Sequence, residues 1–303
     1  MIGRFDHAVI AVRDLAEAIR RYQALGFAVS PGGRHTGRGT ENAIIRFGLD
    51  YLELIAIYDE AELAGRGLNG QALGDFLSKQ EGGLVGYALA TAGIARDAER
   101  FQQTGLTAEG PFAMERLRPD GRRLSWRLLV PESVPWRRPW PFLIQWDAPD
   151  AERLAWEAPG VHPNGATGVA GISLVVHNLE QAIDLYQRQL GLTLKGQDKV
   201  SHRGVRRALF AVGSLKLILL EPDGAGPVQE TLEAVGEGPF ELIVACKSLD
   251  QTRVALAQAG LSVEQSDDTA GVLLPLREAL GARLRLHDPL SGQWDVGVIE
   301  LHF

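Results

Sequence analysis

The sequence predicts an α+β protein of two domains, each a pair of β-α-β-β-β modules. A short apolar run leading into a capped amphipathic stretch that ends at glycine recurs four times along the 303 residues. Residues 7–29 (HAVIAVRDLAEAIRRYQALGFAV) and 171–194 (GISLVVHNLEQAIDLYQRQLGLTL) share strand, cap, helix phase and terminal glycine; residues 87–108 and 241–263 follow the plan more loosely. A stretch rich in proline and glycine at 148–169 parts the second copy from the third.

In the first copy, Val9, Ile10 and Val12 form a β-branched strand run, and Asp14 stands as N-cap of the following helix. The apolar side of that helix is Leu15, Ala18, Ile19, Tyr22 and Leu25, and Gly26 supplies the left-handed stop. Phe27 and Val29 open the next strand, Pro31, Gly32 and Gly33 turn the chain, and strands over 42–47 and 51–57 complete the module. The same module recurs in outline at 85–146, 171–221 and 239–298, with a helical connection over 59–80 that buries Ala72, Phe76 and Leu77. The segment PESVPWRRPWP (131–141) holds too many prolines for an interior strand and is expected as a surface loop or lid. The domains then span about residues 1–150 and 165–303.

Composition narrows the partners. The net charge of −7 comes from interspersed side chains with no basic stripe, which excludes a nucleic-acid footprint. The single cysteine, Cys246, excludes an intrachain disulfide framework and fits a reducing compartment. No signal-peptide pattern opens the chain and no apolar run reaches membrane-spanning length, so a cytoplasmic protein with a small-molecule ligand is expected, with a homodimer as an open option.

Within these paired modules, HxxxxVxDL opens the first strand and helix, LGF closes that helix, and LELI lies in the last strand. These features resemble the vicinal oxygen chelate superfamily of glyoxalase I, extradiol dioxygenases and bleomycin-resistance proteins. More narrowly, GGRHTGRGTENAIIRFG (32–48) followed by YLELIAI, PFLIQWD (141–147) and HPNGATGVAGISLVV (162–176) are similar to its glyoxalase-like domain branch. The resemblance implies that each pair of modules curls into a cup. It also implies a divalent metal held there by the first and last strands of both modules.

Strand alternation places His7, Val9 and Ala11 on one face, and Tyr51, Glu53, Ile55 and Ile57 on one face of the last strand. With the implied topology, His7 and Glu53 point into the N-terminal cup. Two readings stand there: a site for Zn, Ni, Mn or Fe with Glu53 also able to serve as base, or a metal-free pocket in which the two pair. By position, Tyr87 or a neighbour answers to His7 in the second module and Gln145 answers to Glu53. His35 or Gln145 is a candidate third ligand. Thr40, Asn42 and Arg46 share a face of their strand and are candidate contacts to a carbonyl or carboxylate. Trp126, with Trp136, Trp140 and Trp146, reads either as an aromatic lid tipped by Arg137 and Arg138 or as filler between domains. Gly171 and Lys216 replace the pair in the third module, which leaves the candidate site in the N-terminal half. The implied activity is glyoxalase-like isomerisation or lyase chemistry, or ring-cleaving oxygenation, on a small oxygenated substrate; the alternative is a metal-free binding protein of the bleomycin-resistance type.

Overall fold

The computed structural model describes residues 1–117, 121–262 and 271–289. The first module comprises β1 (Ile2–Val12), α1 (Leu15–Ala24), β2 (Ser30–His35), β3 (Thr40–Arg46) and β4 (Tyr51–Ile57). Helices α2 (Glu60–Ala64) and α3 (Leu68–Lys79) connect it to the second: β5 (Gly82–Thr91), α4 (Ile94–Thr104), β6 (Ala108–Leu117), β7 (Arg123–Pro131) and β8 (Phe142–Trp146). After α5 (Asp150–Trp156), the third module runs through β9 (Ala166–Val175), α6 (Leu179–Asp184), β10 (Leu194–Val200), β11 (Val205–Val212) and β12 (Leu215–Pro222). Helix α7 (Pro227–Val235) leads to β13 (Gly238–Cys246), α8 (Leu249–Gln258), β14 (Val272–Leu273) and β15 (Leu284–His287). The part of the fourth module expected at 290–298 lies outside the described residues.

The strands form two mixed sheets, ordered β2-β3-β4-β1-β5-β8-β7-β6 and β10-β11-β12-β9-β13-β15-β14. In both, the first and last strands of each module pair in parallel and the two modules meet through antiparallel first strands. Local chemistry selects the helix starts. Asp14 accepts from Glu17 N, and Asn178 accepts from Gln181 N at the corresponding place in the third module.

Alternation along β1 and β4 divides the core. Ala8, Ile10, Val12, Leu52 and Leu54 pack towards the helices, in a cluster that also takes in Ile172, Leu174, Leu217 and Leu242 from the second sheet and Tyr22, Phe101, Ile183 and Leu256 from the helices. The two halves therefore share one continuous core. Val9, Ala11, Ile55, Ala88 and Ile144 lie on the opposite, concave face of the first sheet. The matching face of the second sheet is filled by Val175, Leu209, Ile218 and Leu220 against Val228 of α7.

Both connecting segments take part in the packing, and the 131–141 loop also lines the cavity through Ser133, Pro135 and Trp136. The 148–169 linker contains α5, with fully buried Arg153 and buried Glu157, and is part of the N-terminal half's packing. The proline-rich 131–141 segment is a clamp between halves: the Arg137 guanidinium donates to Leu84 O (3.2 Å), Gly236 O (2.8 Å) and Pro239 O. These carbonyls come from β5, from the end of α7 and from β13, so one side chain ties both sheets together. Removing a charged donor from buried carbonyls costs about 1.5 to 3 kcal/mol. R137A should therefore lower the denaturation midpoint, with R137K intermediate, in thermal or guanidinium melts.

Candidate functional site

The site begins with an extra residue. Pairing between β1 and β5 runs from Phe5↔Leu89 to His7↔Ala88, so Asp6 is a β-bulge. Phe5 stays in the helix-side core while His7 lines the cavity on the concave face. The bulge lets adjacent side chains meet: His7 Nδ1 lies 2.9 Å from Asp6 Oδ1. Asp6 Oδ2 accepts from Arg4 Nη1 and Trp146 Nε1, both at 2.9 Å, and Arg153 Nη1 lies 3.7 Å away. Burial alone would raise the Asp6 pKa, but His7, Arg4 and Arg153 outweigh it and hold the carboxyl well below the usual carboxylate range. An ionised carboxylate only accepts, so His7 Nδ1 carries a proton towards Asp6, and Nε2 faces the cavity, where it can hold a second.

Glu53 approaches from β4. Its Oε1 accepts from Asn42 Nδ2 at 2.5 Å, and its Oε2 faces His7 Nε2 at 3.7 Å with no hydrogen-bond donor closer among the described residues. Asn42 Nδ2 also lies 3.2 Å from His35 Nε2, while His35 Nδ1 bonds Thr40 Oγ1 at 2.9 Å. Burial pushes the His35 imidazole pKa down, against the pull of Glu53. The Asn42 carboxamide rests directly on Gly32, where an added Cβ would lie 1.9 Å from Asn42 Oδ1; only glycine leaves it that position.

A closed ring of contacts runs through His7. The His7 ring stacks on Tyr51 (4.6 Å, 14°), Arg46 lies over Tyr51 (4.6 Å), and Arg46 Nη2 meets Glu157 Oε1 at 2.8 Å. Glu157 Oε2 meets Arg153 Nη2 at 3.1 Å, and Arg153 returns to Asp6. Above this floor opens a cavity of about 400 Å³ walled by Leu128, Trp136, Phe142, Ile144 and the tilted pair Trp126 and Trp146 (5.1 Å, 42°).

Of the residues read from the sequence, His7, His35, Thr40, Asn42, Arg46, Glu53 and Trp126 line this one cavity. Tyr87 does not. It sits in the shared core and donates its hydroxyl to Tyr186, whose own hydroxyl donates to Pro139 O. Gln145 is also turned away: its Oε1 accepts from Ile94 N (2.8 Å) at the start of α4, where Gly93 offers no capping side chain. The cup positions of the second module belong to Ala88, Phe142, Ile144 and Trp146. Asp6, Arg153 and Glu157 were not singled out from sequence. A carboxylate beside His7 in an apolar strand, and an Arg and Glu four apart in the linker, were the available signals.

This donor set does not fit the metal that the superfamily implies. The second module offers apolar walls where ligands would stand, and Asn42 occupies both His35 Nε2 and Glu53 Oε1. His7 Nε2 and Glu53 Oε2 remain, and among the described residues no group of three or more His, Cys, Asp or Glu is placed to hold a metal ion. Among the described residues, no helix is long and apolar enough to cross a membrane.

Paired modules forming mixed, curled sheets, with parallel first and last strands in each module, give the chain the fold of vicinal oxygen chelate proteins. Within that class the chain belongs to the glyoxalase-like domain family, whose sequence profile matches residues 5–178. It is 34% identical over 129 residues to the uncharacterized protein YqjC of Bacillus subtilis (strain 168), an alignment covering 40% of this chain and 92% of that protein. A hypothetical protein from Staphylococcus aureus has the same fold, with a TM-score of 0.68 at 16% identity over 95% of this chain and 100% of that one. So does a variant of 4-hydroxymandelate synthase from Streptomyces coelicolor, with a TM-score of 0.63 at 14% identity over 94% of this chain and 92% of that one.

The depressed Asp6 pKa sets a pH dependence. A carboxyl whose folded pKa lies below its unfolded value of about 3.9 adds stability above that value and loses it as pH falls. D6N should cost about 3 to 5 kcal/mol near neutral pH, since Arg153 stays buried with a lost partner. Denaturant melts should show the gap between wild type and D6N shrinking below about pH 4.

Proposed function

We propose that the N-terminal cup is the active site of a glyoxalase-like enzyme that moves a proton on a small carbonyl, enol or carboxylate substrate. The observation that carries this is the convergence of Glu53 Oε2 and His7 Nε2, 3.7 Å apart at the floor of an aromatic cavity, each group held from behind. Glu53 is the base. Its free oxygen removes a proton from the carbon next to a carbonyl, and the electron pair moves to the carbonyl oxygen. His7 is the partner acid. Asp6 stabilises the imidazolium, whose Nε2–H is given to the developing oxyanion and taken back as the proton returns to carbon. Every proton in this cycle moves between substrate, His7 and Glu53, and the polar groups supplied by this chain suffice for it.

Among the described residues no third ligand is placed with His7 and Glu53, and this donor set supports proton transfer over ring-cleaving oxygenation at a two-histidine, one-carboxylate iron. A second reading, a non-catalytic binder, is favoured by the walls alone: Trp126, Trp136, Trp146 and Phe142 suit a planar ligand.

Deuterium incorporation next to the carbonyl, followed by NMR in D2O for 4-phenyl-2-butanone and phenylpyruvate, separates the two. Wild type should exchange above the buffer rate, chelator should leave that rate unchanged, and E53Q should reduce it by about 10² to 10⁴. H7N should slow exchange without unfolding the chain. Tight binding of either probe with no enzyme-dependent exchange, or exchange indifferent to E53Q, would defeat the catalytic reading.

A further inference from the structure

The cavity is charged against the grain of the molecule. The chain carries a net −7, yet the cavity is lined by four arginines (Arg38, Arg46, Arg66, Arg116) against two glutamates (Glu53, Glu109). Glu157 answers two of them, Arg46 at 2.8 Å and Arg116 at 3.9 Å. Arg38 and Arg66 have no carboxylate within ion-pair distance among the described residues. Glu62, on the same connection, is taken by Gly39 N (3.0 Å) and the Tyr58 hydroxyl (2.8 Å).

The fold forces these two cations together. The β2–β3 turn that bears Arg38 is locked onto α2 through Gly39, where an added Cβ would lie 2.2 Å from Asp59 O and 2.5 Å from Leu63 N. Arg66 follows α2 directly. From this turn Arg38 reaches across to β6, with Nη2 against Met114 Sδ at 2.6 Å. Burial, and then the charge of Arg66, push the Arg38 pKa down to about 10. Two half-buried guanidiniums facing one cavity repel each other unless an anion lies between them.

We infer that Arg38 and Arg66 form an oxyanion subsite at the cavity mouth, which holds the carboxylate or phosphate of a ligand whose apolar body lies against Trp126, Trp136 and Phe142. The backbone that bears the subsite stands further along the sheet than the base. Glu53 pairs with Ile44, four residues along β3 from Thr40, which is about 13 Å of strand at ~3.3 Å per residue, although the Arg38 charge still reaches His35 beside Glu53. The anion therefore orients an elongated ligand, and the reacting group lies at its other end. This rests on the N-terminal cup being the ligand site, and it names the substrate class: an apolar organic anion.

Three tryptophans line the cavity, so quenching of intrinsic fluorescence reports binding in the full chain. The probes are 4-phenylbutyrate, 4-phenylbutyl phosphate and the neutral 4-phenylbutanamide. At least one anion should bind about tenfold or more tighter than the amide, and rising salt should erode that advantage. The tighter anion identifies the group. R38A/R66A should weaken the anion by about ten- to a hundredfold and leave the amide unchanged, with R38K/R66K restoring part of the affinity. Equal binding of anions and amide, unchanged anion affinity in R38A/R66A, or saturable binding of none of the three would overturn the inference. E53Q run alongside keeps the two proposals apart. Charge-selective binding with no exchange on any carbonyl probe defeats the catalytic reading alone; exchange that depends on Glu53 with charge-blind binding defeats the subsite alone.

Discussion

The geometry of the cup depends on one buried anion. Asp6 sits where β1 carries a residue more than β5 can pair, and its carboxylate gathers a backbone bulge, an imidazole, an indole and two guanidiniums. A lone carboxylate at that depth would protonate or unfold its surroundings; with these partners it stays ionised. Its charge then fixes the tautomer of His7 and the face of Trp146. Through Arg153 and Glu157 the same charge reaches Arg46 and Tyr51, and so returns to the other side of the His7 ring. The orientation of His7 towards Glu53 is thus set by electrostatics behind the wall.

This network explains the architecture of the linker. Proline and glycine in 148–169 mark a join between halves, yet α5 carries the Arg153 and Glu157 side chains that complete the ring. His162 continues the role. It accepts from Ala28 N and contacts Arg46 O, both at 3.0 Å, so the segment after α5 is stitched to the strand that presents Arg46. The join belongs energetically to the N-terminal half, while the shared helix-side core binds that half to the C-terminal one.

Much of the fold was legible because it follows from periodicity. Caps at Asp14 and Asn178, and the alternation of Leu52, Glu53 and Leu54, are local properties of the chain. The cavity side of β3 and β4 followed from the same alternation, which holds without interruption over Thr40, Asn42, Ile44 and Arg46. By position in the repeat, Tyr87 or a neighbour answers to His7; the neighbour Ala88 does so, because the bulge at Asp6 shifts the pairing by one residue and leaves Tyr87 in the core. A bulge exists only in the pairing of two strands and leaves no mark in either alone. Gln145 misled for another reason: a polar residue in a strand read as a ligand, when a helix that starts at Gly93 needed an acceptor for its first amide. The unanswered charges of Arg38 and Arg66 were invisible for a third reason, since a lack of partners is a property of three-dimensional surroundings.

The first module supplies Glu53, His7 and Asp6, α5 supplies Arg153 and Glu157 behind them, and the second module supplies Phe142, Ile144, Trp126 and Trp136 as walls. The polar floor and the apolar walls of the cavity are therefore encoded in largely separate stretches of the chain. Substitutions at Phe142, Ile144, Trp126 or Trp136 reshape the cavity and leave the backing of the His7–Glu53 pair in register, whereas Trp146 serves both, since its indole also holds Asp6.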